Sequence, residues 1–143
     1  MKKNIFILLL FPIFLISCEI ETSSNGKLDG NWQLQSFDTL STGGVCDMSK
    51  STIYWGIENN ILQVRNINNG EKILFRFEKG DGMLKIHSPH VYESQYVTVP
   101  LENDSLLTPY GILGTEDTFT MEQLSGNSLV LTNQQLRLRF RKY

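Results

Sequence analysis

A chain of 143 residues with 13 basic and 15 acidic side chains is one domain's worth of protein, and it lacks the basic footprint that nucleic acid requires. Its longest apolar run, from Ile5 to Ile16, falls short of the ~20 residues of a membrane-spanning helix and is interrupted by Pro12. Alanine, the best helix former, is absent altogether, while Leu, Ile, Phe and Val supply the apolar content and 11 glycines supply turns; the composition leans to β structure.

The chain opens with a short cationic segment, Met1-Lys2-Lys3-Asn4, followed by the apolar run and a small residue, the three parts of an export signal. Leu15-Ile16-Ser17-Cys18 resembles the bacterial lipobox. That resemblance implies a signal peptide over residues 1–17, a diacylglycerol on the sulfur of Cys18, and an exported lipoprotein anchored in the outer membrane by its lipid. Whether it faces the periplasm or the cell surface stays open, although Glu19-Ile20-Glu21 is similar to the export signals of Bacteroidetes surface lipoproteins. Several acyl chains, at roughly 0.8 kcal/mol per buried CH₂, anchor a protein without any spanning helix. Losing Lys2 and Lys3 moves the formal charge from −2 to −4. Residues 18–27 then read as a lipidated, polar tether and residues 28–143 as the folded domain. Lipidation consumes one of the two cysteines, leaving Cys46 as a thiol with no disulfide partner. With Asp47 beside it and no cationic neighbour, Cys46 is expected to be a buried or half-buried, unreactive thiol.

Beyond the tether, period-two alternation recurs between turn signals. Asn31 to Phe37 places Trp32 and Leu34 on one face. Ser51 to Ile57 aligns Ile53, Trp55 and Ile57; Glu58-Asn59-Asn60 turns, and residues 61–67 return. Asn68-Asn69-Gly70 is a hairpin signal, after which Ile73, Phe75 and Phe77 oppose Lys72, Arg76 and Glu78. Lys79-Gly80-Asp81-Gly82 turns again into Leu84 and Ile86, and a further strand is expected over Tyr92 to Val99. Leu106 to Leu113 has room for a single short helical turn, limited by Pro109 and Gly111. Phe119 to Glu122 leads through Ser125-Gly126-Asn127 to Leu129 and Leu131. The last segment places Leu136, Leu138 and Phe140 inside and Arg137, Arg139 and Arg141 outside. Eight or nine short strands joined by tight hairpins predict an all-β, antiparallel up-and-down meander, which avoids exposed edges by closing into a small barrel of about eight strands.

Gly30-Asn31-Trp32, on the first of these strands, resembles the Gly-x-Trp signature of lipocalins and other calycins. Its context, Leu28 to Leu34, is similar to the opening of lipocalin-like lipoproteins of Bacteroidetes, whose final hairpin also has a Leu-x-Leu pair before a basic last strand. The resemblance implies a lipocalin-like barrel in which Gly30 and Trp32 are structural. It also implies that an arginine of the last strand, Arg137, Arg139 or Arg141 with Arg139 the central choice, lies across the tryptophan in a cation–π contact of about 0.5–2 kcal/mol.

Chemistry is sparse. His87 and His90 form a His-x-x-His pair, but Pro89 forbids helical presentation and no third ligand is nearby, so exposed turn histidines are expected and no metal. No phosphate loop, nucleophile elbow or dinucleotide fingerprint occurs. No catalytic residue and no cofactor is therefore assigned, and the chain is not expected to be an enzyme. Barrels of this size hold one small ligand or fill with side chains, and the bulky inward set favours a filled or narrow interior. Trp55, Phe75, Phe77, Tyr92 and Tyr96 are the candidate ligand-binding residues, with Tyr54 and Tyr110 as further candidates for a mouth or surface patch. Two functions remain. One is a membrane-anchored envelope protein holding a small apolar or amphipathic molecule. The alternative is a module that binds an envelope protein, or inhibits an enzyme, through the segments 38–50 and 100–117.

Overall fold

The computed structural model describes residues 25–143. The signal peptide over residues 1–17 and the lipidation site at Cys18 lie outside the described residues. So does the expected tether, apart from Asn25–Lys27.

Ten strands form one antiparallel sheet: β1 (Gly30–Thr39), β2 (Val45–Asp47), β3 (Ile53–Glu58), β4 (Ile61–Asn66), β5 (Glu71–Gly80), β6 (Met83–Tyr92), β7 (Thr98–Pro100), β8 (Asp117–Leu124), β9 (Ser128–Thr132) and β10 (Leu136–Lys142). Following hydrogen-bonded neighbours gives the order β10-β9-β8-β6-β5-β4-β3-β1, and β1 pairs again with β10, so eight strands close into a ring. The short strands β2 and β7 continue the sheet beside β1 and β6. Tight turns make the meander. Asp81-Gly82 has positive φ at both residues (52° and 73°), which suits the twist of the β5–β6 hairpin.

Alternation carries the inward side chains: of the residues assigned inward from the sequence, Trp55, Leu62, Leu84, Ile86, Leu129 and Leu131 are at 0 % exposure, and only Leu136, at the start of β10, is half-buried instead of buried. Three irregularities shift the phase. The first lies between Leu34 and Ser36 of β1, the second between β5 and β6, and the third between Met121 and Gln123 of β8. At the second, Ser88 takes φ 54° and adds one residue to β6, the geometry of a β-bulge. His87 and His90 flank this bulge within β6; they are half-buried strand residues, not turn residues. The strand expected over Tyr92 to Val99 is instead the end of β6, a turn over 93–97, and β7.

The base of the barrel is built around Trp32. A 3-10 turn, Gly26–Leu28, crosses below it, and the Trp32 indole donates to the Leu28 carbonyl at 2.8 Å. Asn25, at the start of this turn, is buried and donates to the Asn59 carbonyl. The cation over the Trp32 ring is Lys142, with Nζ 5.1 Å from the ring centroid, in place of the expected arginine. Register explains the difference: Trp32 pairs with Lys142, and the inward phase of β10 runs Leu138, Phe140, Lys142. Arg137, Arg139 and Arg141 occupy the opposite phase; Arg139 binds Asp38 at 3.0 Å and Arg137 binds Glu122 at 2.9 Å. Gly30 is required where it stands. Its φ is 128°, and a Cβ there would lie 2.6 Å from Lys142 Cε.

Removing the buried indole donor leaves the Leu28 carbonyl unpaired, so Trp32→Phe is expected to lower stability by about 1–3 kcal/mol. Arg139→Gln breaks a half-exposed pair and is expected to cost under about 1 kcal/mol. Urea melts of the two variants check the ranking; equal losses would return Arg139 to the base of the barrel.

Candidate functional site

The end of the barrel opposite Trp32 is covered by the chain between β7 and β8. Residues Asp104–Tyr110 form a 3-10 helix of seven residues, longer than the single turn the sequence suggests. Asn103 starts it by accepting the Ser105 amide, and Gly111 ends it in the left-handed region at φ 78°. From this segment Leu101, Leu107, Tyr110 and Ile112 join the same apolar cluster as the barrel interior, the last three with no more than 1 % of their surface exposed. Gly111 presses so closely on the barrel that a Cβ would lie 2.2 Å from Leu138 and 2.6 Å from Phe37. The segment is a plug in the barrel mouth.

Polar contacts at the rim hold the plug. The Tyr110 hydroxyl donates to the Glu71 carboxylate at 2.7 Å, from the plug to the start of β5. Burial, then the hydrogen bond to Glu71 and its negative charge, push the Tyr110 hydroxyl well above its ordinary pKa, so the proton stays on the phenol. On the other side the Asn133 amide donates both to the Gly111 carbonyl at 3.2 Å and to Asp117 at 3.0 Å, and Asp117 also accepts the Leu113 amide at 3.0 Å. Burial raises the Asp117 pKa, and the hydrogen bonds from Leu113, Asn133 and Thr118 only partly oppose that rise.

Beside the plug runs an open groove of about 700 Å³, within the size range of small-molecule sites. Glu71 and Lys72 of β5, Val91 and Tyr92 at the end of β6, Glu93, Ser94 and Gln95 of the following turn, and Leu106 of the plug line it. A second, smaller depression of about 150 Å³ lies between Arg76, Ser88, His90 and Thr98, where the β6 bulge interrupts the pairing with β5.

The candidate ligand residues divide between these places. Trp55, Phe75 and Phe77 are packed in the barrel interior, Trp55 against Phe119 and Phe140 at ring distances of 5.6 and 5.0 Å. Phe75 also backs the smaller depression. Tyr92 lines the mouth groove, and Tyr96 stands at the tip of the adjoining turn with 87 % of its surface exposed. Tyr110 belongs to the plug, and Tyr54 is buried on the barrel's outside between Arg65 and the edge of the Tyr143 ring; neither joins Tyr92 and Tyr96 at the mouth. Cys46 lies exposed on β2, contrary to the buried thiol expected, because all three residues of that short strand face solvent. Alternation does not find Glu71, Lys72 and Leu106, since their roles arise where three separate loops meet. Among the described residues no group of three or more His, Cys, Asp or Glu side chains is placed to hold a metal, and no helix is long and apolar enough to cross a membrane.

A family model described as a lipocalin-like domain matches residues 13–143. A lipocalin-like protein from Bacteroides uniformis superposes with a TM-score of 0.64 at 19 % identity, covering 82 % of this chain and 100 % of that one. An uncharacterised protein from Bacteroides eggerthii gives 0.61 at 19 % identity, covering 80 % and 98 %. At that identity the two structures speak for the fold alone. No curated protein matches the chain.

The plug's Asp117 anchor yields a signed expectation. Asp117→Ala orphans the Leu113 amide and is expected to cost about 1–3 kcal/mol. Because burial raises the folded pKa above the unfolded one, the folded state binds this proton more tightly. Asp117 therefore contributes stability at low pH that is lost as pH rises through the window just above the ordinary carboxylate range. Thermal melts across that window should show a shallower decline in Asp117→Asn than in the parent; an unchanged decline would place the titration elsewhere.

Proposed function

The chain belongs to the lipocalin-like domain family, and from that premise we propose that it is a lipid-anchored envelope protein that binds a small amphipathic molecule at the barrel mouth. The lipocalin-like fold is typically one of small-ligand binding and not of catalysis. The observation that carries the finer reading is the groove of about 700 Å³, with apolar Val91, Tyr92 and Leu106 set beside charged Glu71, Lys72 and Glu93. Apolar walls with a few converging polar groups suit a ligand having a hydrophobic body and a polar head. The interior is not the place for it as the structure stands. Trp55, Leu62, Val64, Ile73, Leu84 and Phe119 present no surface that a water molecule could touch, so side chains fill the barrel around them.

The anchor rests on the sequence. The cationic start, the apolar run and Leu15-Ile16-Ser17-Cys18 support export and lipidation at Cys18, with the domain held at the outer membrane on its periplasmic or outer side. A second reading, a protein-interaction module, is favoured by one feature: Tyr96 and Val97 project from the turn beside the groove with 87 % and 48 % of their surfaces exposed. Aromatic side chains placed this way are common anchors at protein interfaces.

Two measurements test the proposal. Labelled palmitate should be incorporated into the protein in growing cells, and Cys18→Ser should abolish both the label and retention in washed membranes. Organic extraction of the protein purified from those membranes should release a small molecule that Leu106→Asp, which puts a charge in the groove's apolar wall, no longer carries. If the two extracts are identical, the mouth groove is not the ligand site.

A further inference from the structure

Glu71 takes part in two arrangements at once: its carboxylate holds the Tyr110 hydroxyl, and the residue lines the mouth groove. We propose that the groove takes an amphiphile whose head is a hydrogen-bond donor, an amine or an alcohol, and that this head competes with Tyr110 for Glu71 and so releases the plug. The inference rests on the small-ligand reading above and adds to it the class of head group and the gate.

Charge favours a donor head. The groove carries Glu71 and Glu93 against Lys72, so an anionic head meets more like charge than opposite charge, whereas an ammonium or hydroxyl finds acceptors. Displacing the plug would open a way inward for the apolar part of the ligand. Leu106, 40 % exposed, lines the groove, and its neighbour Leu107 is wholly buried in the core. A tail following that route would take the place of the Leu107, Tyr110 and Ile112 side chains. Exchanging one apolar filling for another changes little buried area, so the polar contacts at the rim decide the balance.

Those contacts are few. The plug is a 3-10 run of seven residues, beyond the three or four at which this helix is usually found, and Pro109 lies inside it. Its rim bonds are Tyr110 to Glu71, the Leu101 amide to the Pro89 carbonyl, Asn133 to Gly111, and Leu113 to Asp117. The last two lie at the Gly111–Asp117 end and can act as the hinge. Only the first faces the groove. A ligand that binds Glu71 better when the plug is displaced shifts the population toward the open form by that difference in affinity.

The full chain in phosphatidylcholine nanodiscs, titrated calorimetrically with octylamine, octanol and octanoate against empty nanodiscs, tests this. Octylamine and octanol are expected to bind, with octanoate about fivefold weaker or more. Tyr110→Phe keeps the ring packed but frees Glu71, so it should fold, bind octylamine roughly two- to tenfold more tightly, and exchange the amides of residues 101–116 faster. Glu71→Gln, which keeps an acceptor oxygen but loses the charge, should narrow the advantage of the amine over the carboxylate. Octanoate binding as tightly as octylamine, or Tyr110→Phe binding and exchanging like the parent, overturns the inference while leaving the small-ligand reading intact. If none of the three compounds binds any variant, both fall.

Discussion

The pairing of β1 with β10 is the constraint on which the rest of this structure depends. A meander of short strands leaves two edges of unpaired backbone donors and acceptors, and closing the ring satisfies both at once. The closure spans Trp32–Lys142 to Thr39–Leu136, nearly the full length of both strands. It also defines an inside, because strands paired around a ring turn alternate side chains toward a common axis. Trp32 marks one end of that axis. Its indole ties the incoming 3-10 turn to the barrel, Lys142 covers its ring, and Gly30 leaves room for the lysine's methylenes.

Much of this was legible in the sequence, because a half-buried strand writes its geometry into period two. Alternation alone gives the inward residues of β3, β4, β5 and β9, those of β6 as far as Ile86 and those of β10 as far as Phe140, and with them the meander. What alternation misses is change of phase. In β1, Trp32 and Leu34 share one parity, yet Phe37, of the other parity, packs against the core because the register slips between Leu34 and Ser36. In β6, Leu84 and Ile86 point inward, and after Ser88 it is Pro89 and Val91 that turn toward the core. Lys142 is hidden from alternation for a different reason. A charged residue continuing an inward phase looks like the end of a strand, and only the register with Trp32 gives it a role.

The mouth was the least legible part, and the physical reason is general. A plug is not periodic: Leu101, Leu107, Tyr110 and Ile112 are buried by a single crossing of the barrel end, and their spacing matches neither strand nor helix. The polar residues that hold it, Glu71, Asp117 and Asn133, come from three distant strand ends and converge only after the ring has closed. Each looks in isolation like an ordinary strand-end carboxylate or amide. The sequence does flag the segment in one way, since Pro109 and Gly111 rule out both a regular helix and a strand between β7 and β8.

A filled barrel and the proposed binding function are reconciled by where the filling comes from. Most of the interior is supplied by strand residues such as Trp55, Phe75 and Phe119, which cannot leave without breaking the ring. Leu107, Tyr110 and Ile112 enter from a loop, and no ladder hydrogen bond depends on their staying. The stability of the ring and the occupancy of its mouth are therefore governed by different interactions, inter-strand hydrogen bonds in one case and a few rim contacts in the other. Segments outside the ladder, tied by only a few hydrogen bonds, open at lower free energy than the sheets that carry them. The exchange proposed for the mouth would therefore leave the walls intact, and the contact between Tyr110 and Glu71, where plug and groove meet, is where it would be decided.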